Sequence, residues 1–405
     1  MPSSEGAGPG GIAPRVDYRA RRERLAGWLG EQGLAAAVLA DFEGLRNASL
    51  RYFTGHPMDA LLVVEASGRA LLVPWDVCLA ERRAQVERVQ PYLRFGRSLP
   101  RAIRELLSEP ELAGEARDWR RGVSRPRVEL SGSLPYPLVN ELEQDLPGVR
   151  LLCRGSGGLD EFAAGLRAIK DAGELEALRQ ACRLTDELAR EVEGRLAAGW
   201  RPSETELALF LEAQARERGA EGMAFETLAA GPERSFAIHA FPPYTAAAFG
   251  APGFSILDFG VCWAGYRSDV TLTAARGPLS PLQERMREAV LAAYTRALPQ
   301  VMPGADPQEI GADIDRFLDE AGLPMPHGLG HGLGLEAHEA PSLRLRQPDA
   351  PAAPPPAALR AGMVLTIEPG AYDPEAGGVR LENDLLVTAG GHELLTHARL
   401  FQLGG

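Results

Sequence analysis

The amino-acid sequence predicts an α/β (α+β) protein of two domains. Three observations carry that prediction. The chain has 405 residues, more than one hydrophobic core ordinarily serves. Helix-like and strand-like segments alternate up to the glycine-rich stretch LLCRGSGGLD. Beyond it, long helical segments give way to short β-like runs separated by glycine. The predicted units are a disordered tail over residues 1–15, an amino-terminal domain over 16–157 and a second domain over 158–405.

The amino-terminal domain is read as follows. YRARRERLAGWLGEQGL is an amphipathic helix ending near Gly33, and AAAVLA is a buried strand. ALLVVEASGRALLVPW holds two apolar runs joined by a polar turn, which is a hairpin pattern. CLAERRAQVERV and RAIRELLSE read as helices and RPRVEL as a strand. His56, beside glycine and proline in YFTGHPMD, reads as a loop or packing residue.

The second domain opens with one helical stretch, roughly Asp160 to Ala198, whose apolar residues recur at spacings of three and four. SETELALFLEAQARERG is a helix with Ser203 as N-cap and Glu206 at the capping-box position. PLQERMREAVLAAYTRAL and PQEIGADIDRFLDEAG are two further helices. QPDAPAAPPPAA, residues 347–358, is an exposed loop between two of the site segments described below, where it could edge the site.

Composition narrows the function. Apolar residues are 45% and charged residues 24% of the chain, as in a soluble globular protein. No apolar run approaches the ~20 residues of a membrane span. A net charge of −12 argues against a nucleic-acid partner. MPSSEGAGPGGIAPR lacks the apolar core of a secretory signal. Cys78, Cys153, Cys182 and Cys262 are scattered without CxxC spacing, which predicts buried, reduced thiols in a cytoplasmic protein.

Two segments share one plan. ILDFGVCWAGYRSDVTLT holds Asp258 and Asp269 with Gly265 between them. LTIEPGAYDPEAGGVRLENDLLV holds Glu368 and Glu382 with Gly377 and Gly378 between. Each reads as strand, turn, strand with an acid on each arm. Taken singly, such acids are ordinary strand-end residues. Between the two segments runs HGLGHGLGLEAHEAP, which carries three of the chain's seven histidines. Four converging carboxylates would repel, since two unit charges ~4 Å apart interact by about 4 kcal/mol at an effective dielectric near 20. Two divalent cations would balance them, and one neutral imidazole would complete the ligands. Oxygen-rich, thiolate-free coordination suits Mn²⁺, with Co²⁺ or Zn²⁺ also compatible.

Asp258, Asp269, His331, Glu368 and Glu382, in this order and context, resemble the pita-bread metallopeptidases of the Xaa-Pro dipeptidase (prolidase) and aminopeptidase P type. The resemblance covers nearly the whole chain. YFTGHP and ALLVVEASG look like the creatinase/prolidase amino-terminal domain, and IKDAGELEALRQA looks like the start of the catalytic domain. It implies two metal ions, held at one side by Asp258, bridged by Asp269 and Glu382, and completed by His331 and Glu368. It also implies a bridging hydroxide as nucleophile, with Glu368 moving the proton. His239, His327 and His338 match pocket histidines of the family. Arg380 would pair with the acidic ligands, and Arg344 could meet a substrate carboxylate, with Arg346 and Arg360 as competitors. Phe225, Phe236 and Phe241 are candidates for a proline pocket or for the core. A small peptide is the implied substrate and a homodimer the implied assembly. One departure is Thr271-Leu272-Thr273, where relatives often carry an arginine.

Three function classes remain at this point. The first is a dinuclear peptidase cleaving Xaa-Pro bonds, as a dipeptidase or as an aminopeptidase. The second is another hydrolase on the same fold: a metal-free creatinase-like version is disfavoured by the filled ligand positions, whereas a metal-dependent hydrolase of another small amide stays open. The third, a non-enzymatic binding module, predicts eroded ligand positions, and none is eroded here.

Overall fold

The computed structural model describes residues 16–107, 125–344 and 358–404. The predicted tail over 1–15, Arg346, and all of the proline-rich stretch except Ala358 lie outside the described residues. Contacts divide the chain into two compact units, Asp17–Arg167 and a second that runs from Ala168 to the end. The glycine-rich junction read from the sequence precedes that division by one helix, Leu159–Ala168.

In the first unit, β1 (Ala36–Asp41), β2 (Ala60–Glu65), β3 (Ala70–Pro74), β4 (Arg88–Val89), β5 (Arg127–Leu130) and β6 (Arg150–Leu152) form one sheet in the order β4-β3-β2-β1-β5-β6. β1 is buried at every position, as a central strand with a parallel neighbour requires. β2 and β3 form the expected hairpin. CLAERRAQVERV departs from expectation, because it is helical only over Val77–Arg83. Ala84 turns to extended backbone, and Arg88–Val89 pairs with β3 instead. β-Branched Val86 and Val89 favour that strand. His56 is fully buried, which fits a packing role.

The second unit holds β7 (Gly222–Met223), β8 (Leu228–Ala230), β9 (Gly253–Phe259), β10 (Val261–Trp263), β11 (Tyr266–Arg267), β12 (Val270–Arg276), β13 (His331–Gly332), β14 (Glu339–Ser342), β15 (Val364–Ile367), β16 (Gly370–Asp373), β17 (Gly377–Arg380), β18 (Asn383–Thr388), β19 (Gly391–Leu394) and β20 (Leu400–Leu403). Its two larger sheets run β20-β12-β9-β8 and β14-β13-β15-β18-β19. Leu257, Val270 and Leu272 of the first pack on Leu188, Val192 and Leu211 of helices Ala172–Ala197 and Glu204–Glu217. Leu365, Leu385 and Val387 of the second pack on Val290, Ile310 and Ile314 of helices Pro281–Ala297 and Pro307–Glu320. Apolar stripes on one face of each helix dictate this arrangement.

The single helix expected over 160–198 is in fact two, Leu159–Ala168 and Ala172–Ala197. Asp171 caps the second: its side chain accepts from Glu174 N at 2.9 Å, and Glu174 Oε2 accepts from Asp171 N at 3.0 Å. That reciprocal cap starts a new helix where apolar periodicity alone suggested continuation. Ser203 and Glu206 form the expected second capping box.

None of the four cysteines is in a disulfide, but only Cys182 and Cys262 are buried. Cys78, in the first turn of a short helix, and Cys153, just past edge strand β6, are exposed, contrary to expectation. Among the described residues no helix is long and apolar enough to cross a membrane.

Candidate metal centre

Each acidic segment supplies the central antiparallel pair of one sheet, β9/β12 or β15/β18, with a smaller hairpin at its tip. Gly265 and Gly377 turn those tip hairpins with φ of +88° each. The acids fall where long pair and tip hairpin meet. Asp258 lies near the end of β9 opposite Thr271, and Asp269 immediately precedes β12. Glu368 follows β15, and Glu382 precedes β18. A bridge between Thr271 and Glu382 ties the two segments together: Glu382 N donates to Thr271 O at 3.0 Å, and Thr271 Oγ1 donates to Glu382 Oε2 at 2.7 Å.

His331 stands at the centre of the cluster. Its Nε2 lies 3.5 Å from Glu368 Oε1, 3.8 Å from Asp269 Oδ2 and 4.0 Å from Glu382 Oε1. One ligand atom each from Asp269, His331 and Glu382 lies within 4.8 Å of the others. Asp258, the fifth expected residue, is gripped by Arg380, whose Nη2 donates to Oδ2 at 2.6 Å. Its other oxygen, Oδ1, is buried with no hydrogen-bond partner. Buried polar atoms are ordinarily satisfied. The donor set therefore fits hard divalent cations: carboxylate oxygens, one of them orphaned, around a single imidazole nitrogen.

Glycine is required on either side of His331. A Cβ at Gly330 would land on the carbonyl oxygen of Thr366, and one at Gly332 on that of Ala340. Both backbones must approach their neighbours closely for His331 to enter β13. Gly332→Ala is expected to cost about 1–3 kcal/mol of stability, the usual range for overpacking, read as a lowered midpoint in urea denaturation.

Electrostatics agree with the geometry. Burial raises Asp269 well above the usual carboxylate range, and neighbouring Glu382, Asp258, Asp384 and Glu368 add to the shift. Glu368 is raised well above its ordinary value by burial and by Glu382. Burial also raises Asp258, with Arg380 opposing, and lifts Glu382 to about 7. His331 and His327 are both depressed to about 4, chiefly by burial. At neutral pH both imidazoles are uncharged, the form a metal ligand needs.

These shifts set a pH dependence for the ion-free protein. Glu382 holds its proton to about 7 folded against 4.5 ordinarily, so its contribution is complete below 4.5 and lost as pH rises through 7. His327 and His331 act oppositely: their contribution is present above 6.5 and lost as pH falls through about 4. Above pH 6.5 most of the histidine contribution is already in place, and Glu382, Asp269 and Glu368 all push the other way. The melting temperature of chelator-treated protein is expected to fall as pH rises through 7, and divalent cations to flatten that fall.

Arg380, fully buried, also donates from Nη1 to Tyr372 Oη at 2.9 Å and from Nε to Thr271 Oγ1 at 3.0 Å. Burial opposes its charge, yet Tyr372, Asp258, Glu382 and Glu368 outweigh burial and hold the guanidinium protonated. Thr271 and Thr273, in the stretch where relatives often carry an arginine, thus engage Arg380 and Glu382. Tyr372 and Asp384 were not anticipated. Tyr372 Oη bonds His327 Nε2 at 2.9 Å, and Asp384 Oδ2 accepts from Asp269 N at 3.0 Å. The run GAYDPEAGG gave no chemical signal for Tyr372, because a tyrosine in a hairpin is usual.

Of the other candidates, His338 lies against His331 with ring centroids 4.0 Å apart and ring planes tilted by 44°. His327 Nδ1 is 3.8 Å from Glu368 Oε2. His239 is exposed and lies near enough to bear electrostatically on Asp258, His327 and His338. Arg344 is exposed and has no ion pair among the described residues; Arg360 is exposed too. Phe236 and Phe241 are 41% and 91% exposed, so neither is a core aromatic. Phe225 lines a separate hollow with Met223 and Tyr244.

Comparison with known proteins agrees. Residues 176–389 match the model of metallopeptidase family M24, and residues 21–151 that of the creatinase/prolidase N-terminal domain. A Xaa-Pro dipeptidase of Pyrococcus furiosus is 29% identical over 93% of this chain and 97% of its own. An uncharacterized peptidase of Staphylococcus haemolyticus is 34% identical over 60% of this chain, a match spanning 66% of that relative's length. The crystal structure of an X-Pro aminopeptidase from Thermotoga maritima shares the fold, with a TM-score of 0.77 and 24% identity over 95% of this chain and 99% of that one. The segments that meet around His331 are thus those of a pita-bread catalytic domain, and the chain belongs to metallopeptidase family M24.

Proposed function

We propose that the protein hydrolyses Xaa-Pro bonds, most readily in dipeptides. The observation that carries this reading is the cluster of buried Asp269 and Glu382 with half-buried Glu368 around His331. Asp258 would hold one divalent cation, Asp269 and Glu382 would lie between two, and His331 and Glu368 would complete the second. Mn²⁺ suits this donor set, with Co²⁺ or Zn²⁺ as alternatives. When bound, the pair acidifies an attacking water and polarises the scissile carbonyl.

The chain's own groups do the rest. Glu368, beside His331, would take the proton of the attacking water and hand it to the leaving nitrogen. His338 and His239 hydrogen-bond the substrate carbonyl. His327, fixed by Tyr372 and by Gly328 O, lines the pocket beside Glu368. Arg344, exposed, supplies a cation for the free carboxylate of a dipeptide. Resemblance to the Pyrococcus furiosus Xaa-Pro dipeptidase over nearly the full length favours that substrate class. A cytoplasmic homodimer accompanies the proposal, to be checked by light scattering.

The test offers Mn²⁺-loaded protein a Xaa-Pro dipeptide and a Xaa-Pro-Yaa tripeptide. The expected result is faster cleavage of the dipeptide, and Arg344→Ala should raise its KM. Cleavage of the tripeptide alone would assign an aminopeptidase. Cleavage of neither, with metal confirmed, would favour another small amide.

A further inference from the structure

The chain's 43 lysines and arginines include a single lysine, Lys170. Its side chain is fully buried, with Nζ 3.6 Å from Glu339 Oε2, itself 4% exposed. Every other basic position uses arginine. The two cations differ physically: guanidinium is a planar fork with five donors to satisfy, whereas ammonium is a compact point charge with three. The one lysine therefore sits where a small buried cation faces a buried carboxylate.

That carboxylate belongs to the segment carrying the site histidines. Glu339 opens β14 and pairs with Gly332 of β13, so it closes the loop running from His331 to His338. Its Oε1 accepts from Glu336 N at 3.1 Å, and its carboxylate packs where a Cβ on Gly334 would stand. The loop is thus wrapped around one buried acid. At its two ends the imidazoles of His331 and His338 meet with centroids 4.0 Å apart. Lys170 is itself anchored, its backbone N donating to Gly362 O at 2.9 Å and its Nζ lying 3.4 Å from Ala168 O.

We propose that Lys170 and Glu339 form a positioning pair that holds the loop closed and keeps both imidazoles aimed at the metal centre. Without the ammonium, Glu339 loses a buried counter-charge 3.6 Å away, and its carboxylate is drawn toward water. That movement releases the Glu336 amide and opens the loop, and His338 loses its place against His331. The kinetic part of this proposal rests on the Xaa-Pro reading, but the structural part does not.

The experiment combines nitrogen-labelled histidine NMR with kinetics on three variants: Lys170→Ala, Lys170→Arg, and the double variant Lys170→Met with Glu339→Gln. Circular dichroism checks folding. The ring signals of His331 and His338, assigned by single His→Gln variants, are expected to shift in all three, while exposed His397 stays fixed. Cleavage of a Xaa-Pro dipeptide by Lys170→Ala is expected to fall roughly 10–100-fold, the usual range for a group that orients a ligand. The loss should fall mainly in kcat, and added ethylammonium should recover part of it where guanidinium does not. The double variant removes both members of the pair together, so it keeps the test open if Lys170→Ala unfolds. Unmoved histidine signals in the double variant, or full function in Lys170→Arg, would overturn the proposal. Wild-type protein inactive on every Xaa-Pro peptide would instead remove the substrate reading and leave the NMR result to decide this one.

Discussion

Replacing His331 with alanine is expected to lower hydrolysis of a Xaa-Pro dipeptide by roughly 10³-fold or more. Loss of a single preorganised electrostatic group at a reacting centre costs about 10²–10³ in rate, and His331 faces three carboxylates at once. Three decades correspond to about 4 kcal/mol of transition-state stabilisation. The fold should survive, because the imidazole contributes little apolar burial and β13 is set by glycines and backbone bonds. Steady-state kinetics in saturating Mn²⁺ with a parallel melting curve would check both halves. A variant within tenfold of wild type would show that His331 is not part of the reacting centre.

Replacing Arg380 with leucine is expected to lower stability by about 3–5 kcal/mol, the cost of breaking a buried pair from one side. Arg380 is 2% exposed, and its guanidinium holds Asp258, Tyr372 and Thr271 together. Leucine leaves Asp258 uncompensated and Tyr372 Oη without one of its partners. Two features separate this from a simple packing defect. Divalent cations should recover part of the loss by neutralising Asp258, and the double variant with Asp258→Leu should be less destabilised than Arg380→Leu alone. Urea denaturation with chelator and with Mn²⁺ would measure each. A loss below about 1 kcal/mol, or no recovery by cations, would contradict the role assigned to Arg380.

Sequence carried much of this, for physical reasons that differ by element. The four acids were legible because two segments repeat one frame, acid, apolar strand and glycine turn, and the structure places all four at the same junction of long pair and tip hairpin. Arg380 was legible because it lies two residues before Glu382. The break before Ala172 was visible in principle, as an aspartate followed three residues later by a glutamate. The unbroken spacing of apolar residues on either side outweighed it. Tyr372 was not legible, since its role depends on His327 and Arg380 arriving from 45 and 8 residues away. Strand β4 was hidden because its amphipathic flank also fits a helix, and pairing with β3 decides the matter.

The most direct test is to soak crystals of the protein with Mn²⁺ and locate the ions by anomalous scattering. Two peaks per chain are predicted, both inside the ring of Asp258, Asp269, His331, Glu368 and Glu382, with Asp269 and Glu382 between them. No peak there, or ions bound only at other surfaces, would contradict the account at its centre.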